Sequence, residues 1–318
     1  ALQGKEASVL LLVPNGPSNP ALDLLVPNRA SIASVKFFGG LPAIPSTVRA
    51  DIIVRLGIMD VFTSYYNITL SALADIEVTA SVPYQGYSKA DILISLDPDN
   101  APLGSSAFYQ FAVLSDGYTG MVSAAQIDSF IASTSNGRSG KLANTGAYFV
   151  EAANTYSLNE VYFLANAILE SGWGTSQLAM GFDYPGGDID GVAYPAGTYY
   201  NFFGIGAFDS SPLSGGRKMA VISGWDSPRA AILGGAQWIS RNYIHPTVAS
   251  AAVSGPQNTL YKMKWDVNRA VAAGGVWHQY ATGRTWATGI AGVMANCYAY
   301  LDLTVEQTGL RFDIPLYR

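Results

Sequence analysis

The sequence predicts an α+β chain in two parts: an N-terminal all-β domain over residues 1–105, then an α-rich domain over residues 106–318 with a small β-hairpin lobe. Three observations predict it. Ahead of residue 105 the apolar residues come in short runs broken by Pro, Asn and Gly, the pattern of strands joined by turns. From about residue 120 they come in longer runs with helical spacing. Between residues 182 and 225 the chain is rich in Gly, Tyr, Phe and Asp, which suits loops and a hairpin.

In chain order, SVLLLV (8–13), ALDLLV (21–26), SIASVKFF (31–38), ADIIVRLG (50–57), ADIEVTASV (74–82) and ADILISL (90–96) read as strands. LLVPN occurs at 11–15 and again at 24–28, an echo too short to define a repeat architecture. AQIDSFIAS (125–133) and GAYFVEAANTY (146–156) read as helices. Ser157 and Glu160 have the spacing of a capping box, which starts the next helix at Leu158. Asp226 or Ser227 can cap the helix PRAAILGGAQWIS, with Pro228 in its first turn. The stretch from Trp286 to Leu303 reads as the last helix.

Composition limits what such a chain can do. Half of it is apolar, enough for a sizeable core, and only 13% is charged, so Gly, Ser, Ala, Thr and Asn must cover much of the surface. The net charge of −5 argues against a nucleic-acid binder, which needs a basic face. One cysteine, Cys297, and two histidines cannot build the usual zinc cluster, and no metal or cofactor is expected. Asp188-Ile189-Asp190-Gly191 imitates the middle of a calcium loop, but Gly186 and Gly197 would then stand at ligand positions. No apolar run reaches the roughly 18 residues that span a bilayer. His278 has no Ser or Cys nucleophile motif beside it and reads as a structural histidine.

One carboxylate stands out. Glu170 closes the apolar run NEVYFLANAILE and is followed at once by Ser-Gly-Trp-Gly. Phe163, Asn166 and Ala167 share its side of a helix, and Gly172 and Gly174 stop that helix. An inward-facing carboxyl beside Trp173 has its pKa raised, which keeps the proton that a general acid must give. The alternative is a glutamate held by backbone amides of the glycine turn. Further on, Tyr199, Tyr200, Asn201, Phe202 and Phe203 suit a sugar-binding wall, in which rings stack on apolar sugar faces and hydroxyl or amide groups hydrogen-bond. Core packing is the alternative for the two phenylalanines. Trp173 can either line the cleft or pack under the turn.

NEVYFLANAILESGWGTSQLA resembles the catalytic helix and turn of the glucosaminidase family, glycoside hydrolase family 73. YNFFGIGAFD (200–209), ILGGAQWISRNYI (232–244), NTLYKMKW (258–265) and HQYAT (278–282) resemble its later segments in the same order, so the resemblance runs from about Phe108 to about Ala287. It implies a lysozyme-like fold and a peptidoglycan hydrolase that cuts bacterial cell-wall glycan strands, with Glu170 as general acid. It also implies that Tyr200 sits beside the acid and Tyr280 near the cleft. Many members carry a second acidic residue on a hairpin after the Phe-Gly-Ile segment. Here SSPLSGGRKMAVISGW holds no glutamate, and Asp209 is the nearest candidate, with Asp183, Asp188, Asp190 and Asp226 behind it.

The two carboxyls would stand roughly 6.5–9.5 Å apart in an inverting enzyme and roughly 5–5.5 Å apart in a retaining one, and the substrate's own 2-acetamido group is a third possible assistant. Gly283 occupies the place where the family usually continues HQYAT with an acidic residue, and Lys264-Trp-Asp-Val departs from its Arg-Trp-Asn-Pro-like run. Two rival readings follow: a lytic transglycosylase on the same fold, or a non-catalytic wall-binding protein that kept it. Residues 1–105 resemble no family and are expected to dock on a wall polymer, a surface layer or a phage tail. The expected location is secreted and wall-associated, or virion-associated. A piece from residue 106 onward is expected to fold alone.

Overall fold

The computed structural model describes residues 59–81, 85–207 and 211–318, together with Pro27 and Ile52. Apart from Ile52, the four strand expectations between residues 8 and 57 lie outside the described residues, and so does Asp209.

The described chain opens with strand β1 (Asp60–Tyr66) and helices α1 (Leu70–Ser81) and α2 (Lys89–Leu96). After short single turns come α3 (Ala124–Ala132), α4 (Ser135–Ser139), α5 (Gly146–Tyr156) and α6 (Glu160–Ser171). A small lobe follows, made of β2 (Phe182–Tyr184), β3 (Gly187–Ile189), β4 (Val192–Tyr194) and β5 (Gly197–Tyr199). Then come α7 (Pro212–Ile222), α8 (Pro228–Ile239), α9 (Leu260–Trp265), α10 (Val267–Ala273), α11 (Trp286–Tyr300) and strand β6 (Arg311–Tyr317). No helix among the described residues is long and apolar enough to cross a membrane.

Several expectations are corrected here. Of the all-β reading, the described parts of ADIEVTASV and ADILISL lie in helices α1 and α2. The alternation of Ile76 and Val78 suits a strand, but Leu73, Ala74 and Glu77 are the buried residues, and they share one helical face. Ser88 and Asp91 close a capping box that starts α2. Asn159, not Ser157, caps α6: its side chain accepts from the Tyr162 amide, while Ser157 takes a left-handed conformation that ends α5. The stretch after Asp209 is helix α7 and not a hairpin, because Pro212 fits a first turn and Gly216, Ala220 and Val221 bury one helical face. Ser227 caps α8 with Pro228 in its first turn, as expected, and α11 also forms as expected.

Helix α6 is the centre of the core. Every residue from Glu160 to Ile168 is buried, the signature of a helix enclosed on all sides. It packs against α5 and α11, and Phe163 stacks on Phe203 with ring centroids 4.7 Å apart. Its buried Glu160 accepts from the Thr119 amide at 3.0 Å. The lobe is a nested ribbon: β2 pairs antiparallel with β5, and β3 with β4. Its tip is the turn that resembled a calcium loop. Asp190 and Gly191 both have positive φ, as a tight hairpin turn requires, and Asp188 accepts from the Gly191 amide at 2.8 Å.

The two ends of the described chain meet. Strand β1 lies parallel to β6, with Asp60 opposite Arg311 and Tyr66 opposite Tyr317. Parallel strands need a long crossover, and here it is the whole helical body. Val61, Leu73, Ile92 and Leu96 belong to the same buried cluster as Phe163, Ile290 and Phe312, so the core runs across the 105/106 boundary.

Candidate active site

Local backbone geometry explains the Ser-Gly-Trp-Gly sequence. Helix α6 ends when Gly172 turns left-handed, and Trp173 and Gly174 keep positive φ after it. The Trp173 amide donates back to the Ile168 carbonyl at 3.0 Å, and the Gly174 amide to the Ser171 hydroxyl at 2.8 Å. A Cβ on Gly174 would stand 2.7 Å from the Leu142 nitrogen, so only glycine lets the turn close against residues 140–142. The turn therefore ends the helix one residue past Glu170 and leaves the carboxyl at its rim.

Glu170 is partly buried. Its Oε1 accepts a hydrogen bond from the indole nitrogen of Trp286 at 2.6 Å. Trp286 opens helix α11 and stacks on Tyr280, with centroids 4.8 Å apart. The Tyr280 hydroxyl donates to the Phe203 carbonyl at 3.1 Å. The other carboxylate oxygen faces Gly204, where a Cβ would lie only 3.2 Å from Oε2. Burial pushes the Glu170 pKa up to about 7 and the Trp286 bond opposes part of the rise; no charged side chain of the described residues is among the causes. The backbone-amide alternative for Glu170 is not what the geometry shows, because the donor is an indole from another helix. Burial also raises Tyr280, and the neighbouring Glu170 adds to it, so this hydroxyl keeps its proton.

The other expected residues fall into two groups. Tyr280 is brought beside the carboxyl by the stack just described. Tyr200 is partly buried, stacks on Phe202 and covers Gly181, where a Cβ would meet its ring at 2.7 Å. Asn201 and Phe202 are buried, and Asn201 pins the loop that carries Gly204: its amide donates to the carbonyls of Ile205 at 2.8 Å and Gly216 at 3.2 Å, and its oxygen accepts from the Phe203 amide. Tyr199 is buried, with its hydroxyl on the Pro195 carbonyl at 3.0 Å. Trp173 packs its ring on Phe130 of α3. Among the carboxylates ranked behind Asp209, Asp183 accepts from Thr198 and Asp190 pairs with Lys218. Asp188 serves its own turn, and Asp226 is exposed just ahead of α8. His278 stacks on Tyr243 and bonds Gln257 at 2.6 Å.

Trp286 and Gly204 are the site residues that the sequence reading did not single out. Gly204 had a signal, as the glycine of the Phe-Phe-Gly segment. Trp286 had none, because 116 positions separate it from Glu170. A Gly204→Ala enzyme should stay folded and lose roughly tenfold to a hundredfold in kcat, since φ of +62° is strained for alanine and the methyl group displaces the carboxyl. Steady-state rates and circular dichroism check this, and an unchanged kcat would show that the acid does not depend on that gap.

A partly buried carboxyl that holds its proton near neutrality, backed by a stack of aromatic rings, is the equipment of a general-acid glycoside hydrolase. Residues 146–299 match the family model Glucosaminidase, described as mannosyl-glycoprotein endo-beta-N-acetylglucosaminidase. The major bifunctional autolysin crystal structure is 32% identical; the match covers 82% of this chain and 100% of that one, with a TM-score of 0.52. Autolysin E of S. aureus, in complex with muropeptide NAM-L-Ala-D-iGlu, is 26% identical over 80% of this chain and 98% of that one, with a TM-score of 0.56. A beta-N-acetylglucosaminidase of Bacillus subtilis (strain 168) is 36% identical over 235 residues, which are 74% of this chain and 23% of that protein. This chain belongs to the glucosaminidase family. It spans less than a quarter of the length of the curated relatives it matches.

Proposed function

We propose that this chain cleaves the β-1,4 bond between GlcNAc and MurNAc in bacterial cell-wall glycan, with Glu170 protonating the leaving oxygen. The observation that carries the proposal is the Glu170 carboxyl itself, held by Trp286 and with its pKa lifted to about 7. Burial makes it an acid at neutral pH, and the indole fixes its direction. Solved relatives bind a muropeptide and the disaccharide NAG-NAM, which supports a wall-glycan substrate. An attachment role for residues 1–105 and a wall-associated location belong to the same proposal. Digestion of purified sacculi, followed by reduction and mass analysis, tests it: hydrolysis leaves reducing GlcNAc ends.

The lytic-transglycosylase reading needs no group beyond the Glu170 acid, which Trp286 holds. Such a site suits a single-acid mechanism, and 1,6-anhydro ends in the same digest would establish it.

The second group in hydrolysis is Asp209 or the substrate acetamido group. If the acetamido group is the nucleophile, Asp209 at most orients or polarises it. Asp209→Asn is therefore expected to cost less activity than Glu170→Gln. Equal losses in two folded proteins would assign water activation to Asp209 and remove the substrate-assisted route.

A further inference from the structure

Of the six tryptophans in the chain, five are packed. Trp225, Trp265 and Trp286 are buried, Trp173 lies on Phe130, and Trp238 lies against Tyr243 and Tyr280. Trp277 is 76% exposed, more than any other large apolar side chain described. A single exposed apolar residue is ordinary on a protein surface. What is unusual here is how firmly the backbone beneath the ring is held.

Asp266 is buried and sits at a left-handed φ of 45° between α9 and α10. Its Oδ2 accepts from the amides of both Trp277, at 3.1 Å, and His278, at 2.8 Å. The His278 carbonyl accepts from Gln257 at 2.9 Å. Gln279 donates to both carboxylate oxygens of buried Glu77, at 2.7 and 2.9 Å. The Tyr280 amide donates to the Met263 carbonyl at 3.0 Å. Residues 277–280 are thus anchored one after another; Trp277 is exposed and the other three are half-buried. Three residues of chain span at most about 10 Å, so the backbone that carries the ring stands within a sugar unit or two of the Tyr280 backbone, and Tyr280 stacks on the indole that holds Glu170.

We propose that Trp277 is a stacking platform for the glycan strand outside the cleavage site. This rests on the reading of the substrate as wall glycan. Pyranose rings with equatorial substituents expose C–H faces that lie flat on an indole. A ring on a fixed backbone loses little freedom when a sugar lands on it, so most of the contact free energy appears as affinity. Only a strand long enough to extend past the cleft reaches the platform.

The test compares KM on peptide-free glycan strands with KM on a GlcNAc–MurNAc tetrasaccharide, using the full chain. Trp277→Ala should raise KM for strands about fivefold to tenfold, the worth of one aromatic contact, with a far smaller change for the tetrasaccharide. Trp277→Tyr should recover most of the difference. Equal KM shifts on both substrates, no shift on strands, or a lowered melting temperature in Trp277→Ala would overturn the proposal. If the wild type cuts neither substrate, the glycosidase reading fails first. Titrating Glu170→Gln protein with chitohexaose then decides the platform by itself: adding Trp277→Ala should raise the Kd about fivefold to tenfold, and an unchanged Kd overturns the proposal.

Discussion

Glu170→Gln is expected to leave the fold intact and cut turnover by about 10²–10⁴-fold, the usual worth of a positioned acid. Glutamine keeps the shape and can still accept the Trp286 hydrogen bond, so the loss isolates the missing proton. The same carboxyl should set the pH profile. Its pKa lies near 7 in the folded protein against an ordinary 4.5, so activity should fall about tenfold per unit as pH rises above 7. Stability should move the same way. A group whose pKa is raised on folding favours the folded state fully below its unfolded value, and this contribution is lost as pH rises through the folded value. The wild type should therefore lose stability between pH 4.5 and about 7, on the order of 3 kcal/mol, while Glu170→Gln should not lose this part. At pH 8 the inactive variant should melt higher than the active enzyme. A Gln variant within tenfold of wild type on cell-wall suspensions would remove Glu170 from the acid role.

That carboxyl was legible in the sequence because every cue to it is local. The apolar run, the two glycines and the tryptophan fix a helix end within a dozen residues, and backbone sterics decide the rest. Its partner was not legible, since the indole of Trp286 arrives through tertiary packing of α11 against α6. Helices α1 and α2 were misread for another reason. In ADIEVTASV the residues Ile76 and Val78 keep period two while Leu73, Ala74 and Glu77 keep the helical period, and a run this short satisfies both. Burial of Glu77 decides between them, and it depends on Gln279, 202 positions away. Helix α7 was hidden by its Gly-Gly pair, whose Gly216 packs against Leu178, where a Cβ would come within 2.6 Å of the side chain. Sequence patterns carry the faces of elements well and the identity of distant partners poorly.

Removing residues 1–105 is expected to abolish folding, although the later segments alone resemble the family. The cut strips β6 of strand β1 and leaves it paired only through the bridge between Ala112 and Phe312 among the described residues. It removes Leu73, Ala74, Ile92 and Leu96 from the core, all at most 2% exposed. Each leucine-sized deletion from a core costs about 2–5 kcal/mol, so the sum is comparable to the whole stability of an ordinary domain. Polar losses add to it. The buried Tyr261 hydroxyl donates to the Leu96 carbonyl at 2.6 Å and would lose that partner. Lys264 is buried, and its nearby buried countercharge is Glu77. Stripping one side of such a pair costs about 3–5 kcal/mol, because the remaining charge is left without compensation. Residues 106–318 should therefore be insoluble or melt without cooperativity. Glu77→Ala in the full chain should lower the melting temperature while leaving Glu170 and Trp286 in place. The measurement is a thermal melt of the purified piece beside the full chain, with rates on a GlcNAc–MurNAc tetrasaccharide. A piece that melts cooperatively at the full-length temperature and cuts the tetrasaccharide at the full-length rate would show that β1, α1 and α2 only decorate a self-sufficient catalytic unit.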